Sequence, residues 1–239
     1  MWLINAFLSA LFAGATAVLS KMGVEDMSSH YVTALRTSVV LVFTWLMVWV
    51  SGSDFSGLNA QNLLFIVLSG IATGASWLCY YRALSLADVS QVVPIDKLST
   101  FLTMIFAFII FHEEVTPLKI LCMLMMMFGT YLMISKPKQK ATSNHWYLYA
   151  LGSAFFASLT AILAKIGIIN VDSQTVTALR TIVVVMMAWL VVRVSHSYQP
   201  LSMIHKKQAF FIVLSGVATG LSWLCYFEAL KDGPASVVV

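Results

Sequence analysis

The amino-acid sequence predicts an all-α integral membrane protein of eight transmembrane helices, arranged as two inverted five-helix repeats with the second cut to three helices. Three observations carry this. Of 239 residues, 60% are hydrophobic and only 10% charged, whereas soluble domains carry roughly 25% charged residues. Eight apolar runs approach the length of about 20 residues that a helix needs to cross a bilayer. Finally, VLSGIATGASWLCYYRAL (67–84) recurs as VLSGVATGLSWLCYFEAL (213–230), the changes being Ile71/Val217, Ala75/Leu221, Tyr81/Phe227 and Arg82/Glu228. A match that close within one chain marks an internal duplication.

The runs fall at approximately 3–24, 31–50, 62–84, 91–111, 117–135, 147–169, 175–195 and 209–230. The first resembles a leader sequence but has no basic residue ahead of it. Ser9 to Val24 also matches Ser153 to Ile168, and an internal copy cannot be a cleaved leader, so span 1 is expected to be retained. Span 1 ends at Lys21, and span 2 opens with Thr33-Ala-Leu-Arg36 and closes at Trp45 and Trp49. Their partners are Lys165, Thr177-Ala-Leu-Arg180 and Trp189. Two readings stand for these residues: interfacial anchors, with snorkelling Lys and Arg and indoles at headgroup depth, or the lining of a polar vestibule.

Span 4 opens with Gln91-Val-Val-Pro94-Ile-Asp96-Lys97. Proline removes a backbone donor and clashes with the preceding turn, so a kink is expected near Pro94, with the freed carbonyls needing polar neighbours. Asp96 and Lys97 then lie about one turn inside, or are solvated at an interfacial start. Span 5 follows Pro117, and 136–144 is the linker between the repeats, which run 1–140 and 141–239.

Five spans per unit, an odd number, place the second unit upside down. Loop charges agree: residues 51–61 carry Asp54 and no Lys or Arg, whereas the matching connection carries Arg193, Lys206 and Lys207. Duplicated loops of different basic content fit the positive-inside rule acting on inverted copies. The expected orientation in the cytoplasmic (inner) membrane puts Lys136, Lys138, Lys140, Arg193, Lys206 and Lys207 inside and the N-terminus outside. The net charge of +4 is thus a topology signal and not a nucleic-acid footprint. Cys79, Cys122 and Cys225 lie in apolar runs without metal spacing. The five histidines are scattered, and no metalloprotease, nucleophile-elbow or phosphate-loop motif is present, so neither an enzyme nor a cofactor is expected.

Three sets of residues are candidates for function. Gly70 and Gly74, with their twins Gly216 and Gly220, form GxxxG pairs that let helix backbones approach where lipid gives little drive for association. Gly70, Gly74, Trp77 and Tyr81 share a helix face beside the polar strip Thr73, Ser76 and Tyr80. Ser76, Trp77, Tyr80 and Tyr81, with Ser222, Trp223 and Tyr226, are candidates for a solute cavity wall, or for bundle core. The charged set Lys21, Arg36, Arg82, Asp96 and Lys97, with Lys165, Arg180 and Glu228, suits gating or substrate selection, because ionisable groups at membrane depth are costly and tend to mark pathways.

The order of these features, namely Lys21 after span 1, ALR at span 2, AL closing span 3, Pro94 in span 4, and Phe111-His-Glu113 before a span ending in Gly129-Thr-Tyr-Leu, resembles the EamA domain of the drug/metabolite transporter superfamily over the whole chain. The resemblance implies a ten-span carrier that moves small metabolites or drug-like solutes by alternating access through a cavity between its halves. The second copy stops at Val239, which aligns with Val93, so spans 9 and 10 are expected to be missing. A second copy of the chain or another helical partner would then supply them, and without it the chain is a non-transporting subunit or a fragment. Ser9 to Val18 and its copy hold no carboxylate, unlike the proton-swapped acid of small multidrug exporters. Facilitated flow or exchange of a small zwitterionic or anionic metabolite fits better.

Overall fold

The computed structural model describes residues 1–23, 27–133, 145–200 and 204–238. In a bilayer each backbone polar group must be satisfied within its own segment, and the apolar runs accordingly form helices. Among the described residues these are α1 (Trp2–Gly23), α2 (Ser29–Ser51), α3 (Ala60–Leu84), α4 (Val89–Asp96), α5 (Leu98–Ile110), α6 (Pro117–Met133), α7 (Trp146–Gly167), α8 (Ser173–Val194), α9 (Lys206–Asp232) and α10 (Ala235–Val238). Gly52 stops α2 in the left-handed region (φ 61°), donating to the carbonyls of Trp49 and Val48, a helix end that glycine adopts without a Cβ penalty.

Seven helical stretches among the described residues are long and apolar enough to cross a membrane, with α4 and α5 counting together as 89–110. The eighth expected span differs. The described part of α6 has 17 residues, about 25 Å of helix against a hydrocarbon core of about 30 Å, and the rest of its predicted run lies outside the described residues. The helix of span 4 is interrupted at Lys97, about one turn beyond Pro94. Proline withholds a donor from its own turn, but Lys97 N–H still reaches the Val93 carbonyl at 3.0 Å, so the helix is continuous past the ring and loosens only afterwards.

The chain forms two compact units, each with residues from both repeats. Unit one comprises 1–71 and 165–233, with residue 238; unit two comprises 72–164 and 234–237. The divide falls inside α3 and α7.

In unit one α1 packs on α9, and α2 packs on both α8 and α9. Helix directions follow from paired contacts. Ser38 meets Trp189, and Ser53 meets Gln174, so α2 and α8 are antiparallel. Gly216 faces Val39 and Gly220 faces Phe43, so α9 runs parallel to α2. Asn62 donates to the carbonyls of Gly167 and Ile169 just before α8, and Gly70 faces Val183, so the first half of α3 runs parallel to α8.

In unit two α6 packs on α4 and α5. Ala83, Val92 and Ala150 form a buried cluster overlaid by Tyr80, Ile95 and Trp146. The first backbone N–H groups of α10 are received by Glu113, whose carboxylate accepts from Ala235 N (2.6 Å), from Ser236 N (3.1 Å) and from the Ser236 hydroxyl. This satisfies donors that a helix start otherwise leaves open.

Candidate functional site

The same hydroxyl seam is built in both units. In unit one Ser222 Oγ donates to the Ser9 carbonyl at 2.9 Å and meets Ser9 Oγ at 3.3 Å, while Thr219 meets Thr16 at 3.3 Å. In unit two Ser76 Oγ donates to the Ser153 carbonyl at 3.1 Å and meets Ser153 Oγ at 3.2 Å, while Thr73 meets Thr160 at 3.3 Å. Duplication maps Ser9 onto Ser153, Thr16 onto Thr160, Thr73 onto Thr219 and Ser76 onto Ser222. The first helix of one copy thus packs on the third helix of the other, once in each unit. Small hydroxyl residues suit this place, because they allow close approach and still bond across helices.

The seam in unit two has one further member. Ser153 Oγ donates to Asp96 Oδ1 at 2.6 Å. Asp96 is half-buried, and Lys97 beside it is exposed. Tyr80 lies within electrostatic range of Asp96 and stands edge-on to Tyr81 at 5.7 Å. A carboxylate, three hydroxyls and the Trp146 ring are therefore gathered around the end of α4. Trp77 is half-buried in this unit and Arg82 exposed.

Unit one holds a buried cation. Arg180 is only 5% exposed. Its Nε donates to Ser69 Oγ at 3.1 Å, and its guanidinium lies 5.2 Å from the Trp223 ring centre and 5.3 Å from that of Phe227. Rings at these distances attract a guanidinium through their negative faces. Tyr226 is within electrostatic range of the same group. Thus Arg180, Trp223 and Tyr226, candidates from separate motifs, come together. Arg36, the counterpart of Arg180, is half-buried and donates from Nη1 to Ser20 at 2.6 Å. The second copy has Ala164 where the first has Ser20, so that partner is not offered to Arg180.

The remaining candidates are dispersed. Glu228 accepts from the Ser173 hydroxyl at the first turn of α8, and the Lys165 ammonium donates to the Gly233 carbonyl. A Cβ built on Gly70 would come within 2.7 Å of Val183 Cβ, and one on Gly216 within 2.7 Å of Val39 Cβ. Gly74 is buried. The side chain of Lys21 lies outside the described residues, as do Lys136, Lys138 and Lys140. Sequence reasoning missed Ser153, Ser69, Phe227 and Ser173. Identity across the duplication, of Ser9 with Ser153, Thr16 with Thr160, Ser69 with Ser215 and Ser29 with Ser173, was the signal these hydroxyl residues carried.

The model of the EamA-like transporter family matches residues 1–135 and 144–239. A Sinorhizobium sp protein described as an "uncharacterized transporter in cobO 3'region" is 42% identical over 118 residues, covering 47% of this chain and 82% of that protein. A crystal structure of a protein with 17% sequence identity superposes with a TM-score of 0.78, covering 98% of this chain and 80% of the other, a likeness of fold.

Proposed function

The chain belongs to the EamA-like transporter family, and from that premise we propose that it carries a small organic metabolite or drug-like solute across the membrane by alternating access. It is a multi-pass membrane transporter and not an enzyme. The repeats are 1–140 and 141–239 in inverted orientation, with eight spans. The helix directions within unit one support this: α2 and α8 are antiparallel, and α3 and α9, which are also copies of each other, follow opposite partners. Basic residues at 136–140, 193 and 206–207 favour an inner-membrane protein with those loops inside and the N-terminus outside.

The observation that carries the solute reading is Arg180, buried beneath Trp223 and Phe227. A guanidinium at membrane depth is costly and tends to mark a pathway, and it recognises carboxylate or phosphate oxygens through a planar fork of donors. With indole and phenyl faces beside it, the group suits an anionic or zwitterionic solute that has an apolar body. Ser222, Trp223 and Tyr226, and separately their copies Ser76, Trp77 and Tyr80 with Tyr81, the counterpart of Phe227, are proposed as solute-facing residues of their own units. Arg36, Arg82, Asp96, Lys97, Lys165 and Glu228 are the proposed vestibule and gating residues.

Proteoliposomes holding the full chain, offered radiolabelled acidic, neutral and basic amino acids and sugar phosphates, test the proposal. Flux of an anionic or zwitterionic solute that falls at least tenfold in Trp223→Ala and Trp77→Ala is the expected result. Flux restricted to cationic solutes overturns the solute class, and absence of flux for every solute overturns the carrier mechanism.

A further inference from the structure

Between α2 and α9 of unit one lies an apolar groove of about 570 Å³, lined by Val39, Phe43, Leu46, Ala209, Ile212 and Val213 among others. Its origin is mechanical. Gly216 and Gly220 bring α9 against Val39 and Phe43, and on the N-terminal side of that crossing the small side chain of Ala209 leaves the space between the helices unfilled. Ser38, the one hydroxyl on the wall, donates to the Ala34 carbonyl and accepts from Trp189 Nε1, so its polar atom is satisfied elsewhere. The groove faces outward, with Val42 70% and Val213 49% exposed. From Leu35 to Leu46 it runs about 16 Å along α2, half of a hydrocarbon core of about 30 Å, the depth of one leaflet.

One end is charged. Ile204 and Ala209, both on the wall, bracket Lys206 and Lys207, which are exposed. Exposed Arg193 ends α8, which is antiparallel to α2 and therefore reaches the same end. The duplication supplies an internal control: Leu63 stands for Ala209, Ala60 for Lys206, Gln61 for Lys207 and Trp49 for Arg193. The first copy lacks both the small residue and the cations.

We propose that this groove seats an acyl chain of an anionic phospholipid whose phosphate is held by Lys206 and Lys207. The chain meets only carbon, and the headgroup meets two ammonium groups at the level where the hydrocarbon ends. Each lysine near a membrane surface is worth about fivefold in affinity for anionic lipid.

Native mass spectrometry of the detergent-purified full chain, titrated with phosphatidylglycerol and phosphatidylcholine of identical acyl chains, tests it. Wild type should retain phosphatidylglycerol about 25-fold more strongly. K206Q/K207Q should lose that preference while keeping the phosphatidylcholine level, and A209L should weaken retention of both lipids. Equal retention of the two lipids by wild type overturns the proposal, as does a preference unchanged in K206Q/K207Q or retention unchanged in A209L. Should a variant fail to fold, photo-crosslinking of wild type with a diazirine-bearing phosphatidylglycerol decides: adducts on α2 and the first half of α9 are expected, and adducts confined to other helices overturn the assignment. None of these readouts depends on transport.

Discussion

Arg36 and Arg180 occupy the same place in the two copies, yet they live in different surroundings. Arg36 is half-buried and takes the hydroxyl of Ser20, whereas Arg180 is nearly fully enclosed, takes Ser69 and lies against two aromatic rings. A single change, Ser20 to Ala164, removes the near partner in the second copy. Position 82 tells the same story from the opposite sign: Arg82 is exposed, while its counterpart Glu228 is half-buried and bonded to Ser173 at a helix start, where the dipole favours a carboxylate. The hydroxyl seams, by contrast, agree within a few tenths of an ångström in both units. Duplication has preserved the contacts that pack helices and diversified the charges they enclose.

The comparison breaks most sharply at the arginines. Arg180→Leu should lower vesicle flux at least 100-fold, because the proposed anionic group loses its charge-assisted partner, about 2.7 kcal/mol at tenfold per 1.36 kcal/mol. Arg36→Leu should lower it less than tenfold, and equal losses would show that the two surroundings are functionally alike. A smaller contrast separates the seams. Ser153→Ala removes a hydrogen bond to a charged carboxylate, whereas Ser9→Ala removes a neutral pair. The expected losses are about 2 and about 1 kcal/mol, read as thermal unfolding in detergent, and identical shifts would show that Asp96 gains nothing from Ser153. The smallest contrast sharpens the glycine seam. Gly216→Ala meets the branched Cβ of Val39, fixed close to its backbone, so overpacking exceeds the helix-propensity gain of about 1 kcal/mol and leaves a net loss of about 1. Gly220→Ala meets the Phe43 ring, which can turn aside, and should be within about 0.5 kcal/mol of wild type. A Gly216→Ala protein as stable as wild type would mean that Val39 gives way freely.

Much of the fold was legible because membrane helices obey two local rules, an apolar run of sufficient length and internal satisfaction of the backbone. Helix ends fall close to the predicted runs for this reason. Proline deletes the bond of its own turn while the carbonyl of Val93 still finds Lys97, and the helix is interrupted about one turn beyond Pro94. The site was legible only in part. Trp223, Tyr226 and Arg180 stood out as aromatic and charged residues in apolar runs, but the sequence offered no reason to join them across two helices. Ser153 was visible as a repeated residue and not as the partner of Asp96.

By itself, then, the sequence determined the helices, the duplication and the membrane as solvent, all properties of composition and period that a chain carries locally. Only the tertiary structure decided which arginine is enclosed, which carboxylate receives a hydroxyl and where two helices splay into a groove. Those outcomes depend on residues far apart in the chain, Arg180 and Ser69 by 111 positions and Asp96 and Ser153 by 57, meeting across helix faces. A difference of one side chain in the facing copy, such as Ala209 for Leu63, is enough to change what the interface can hold.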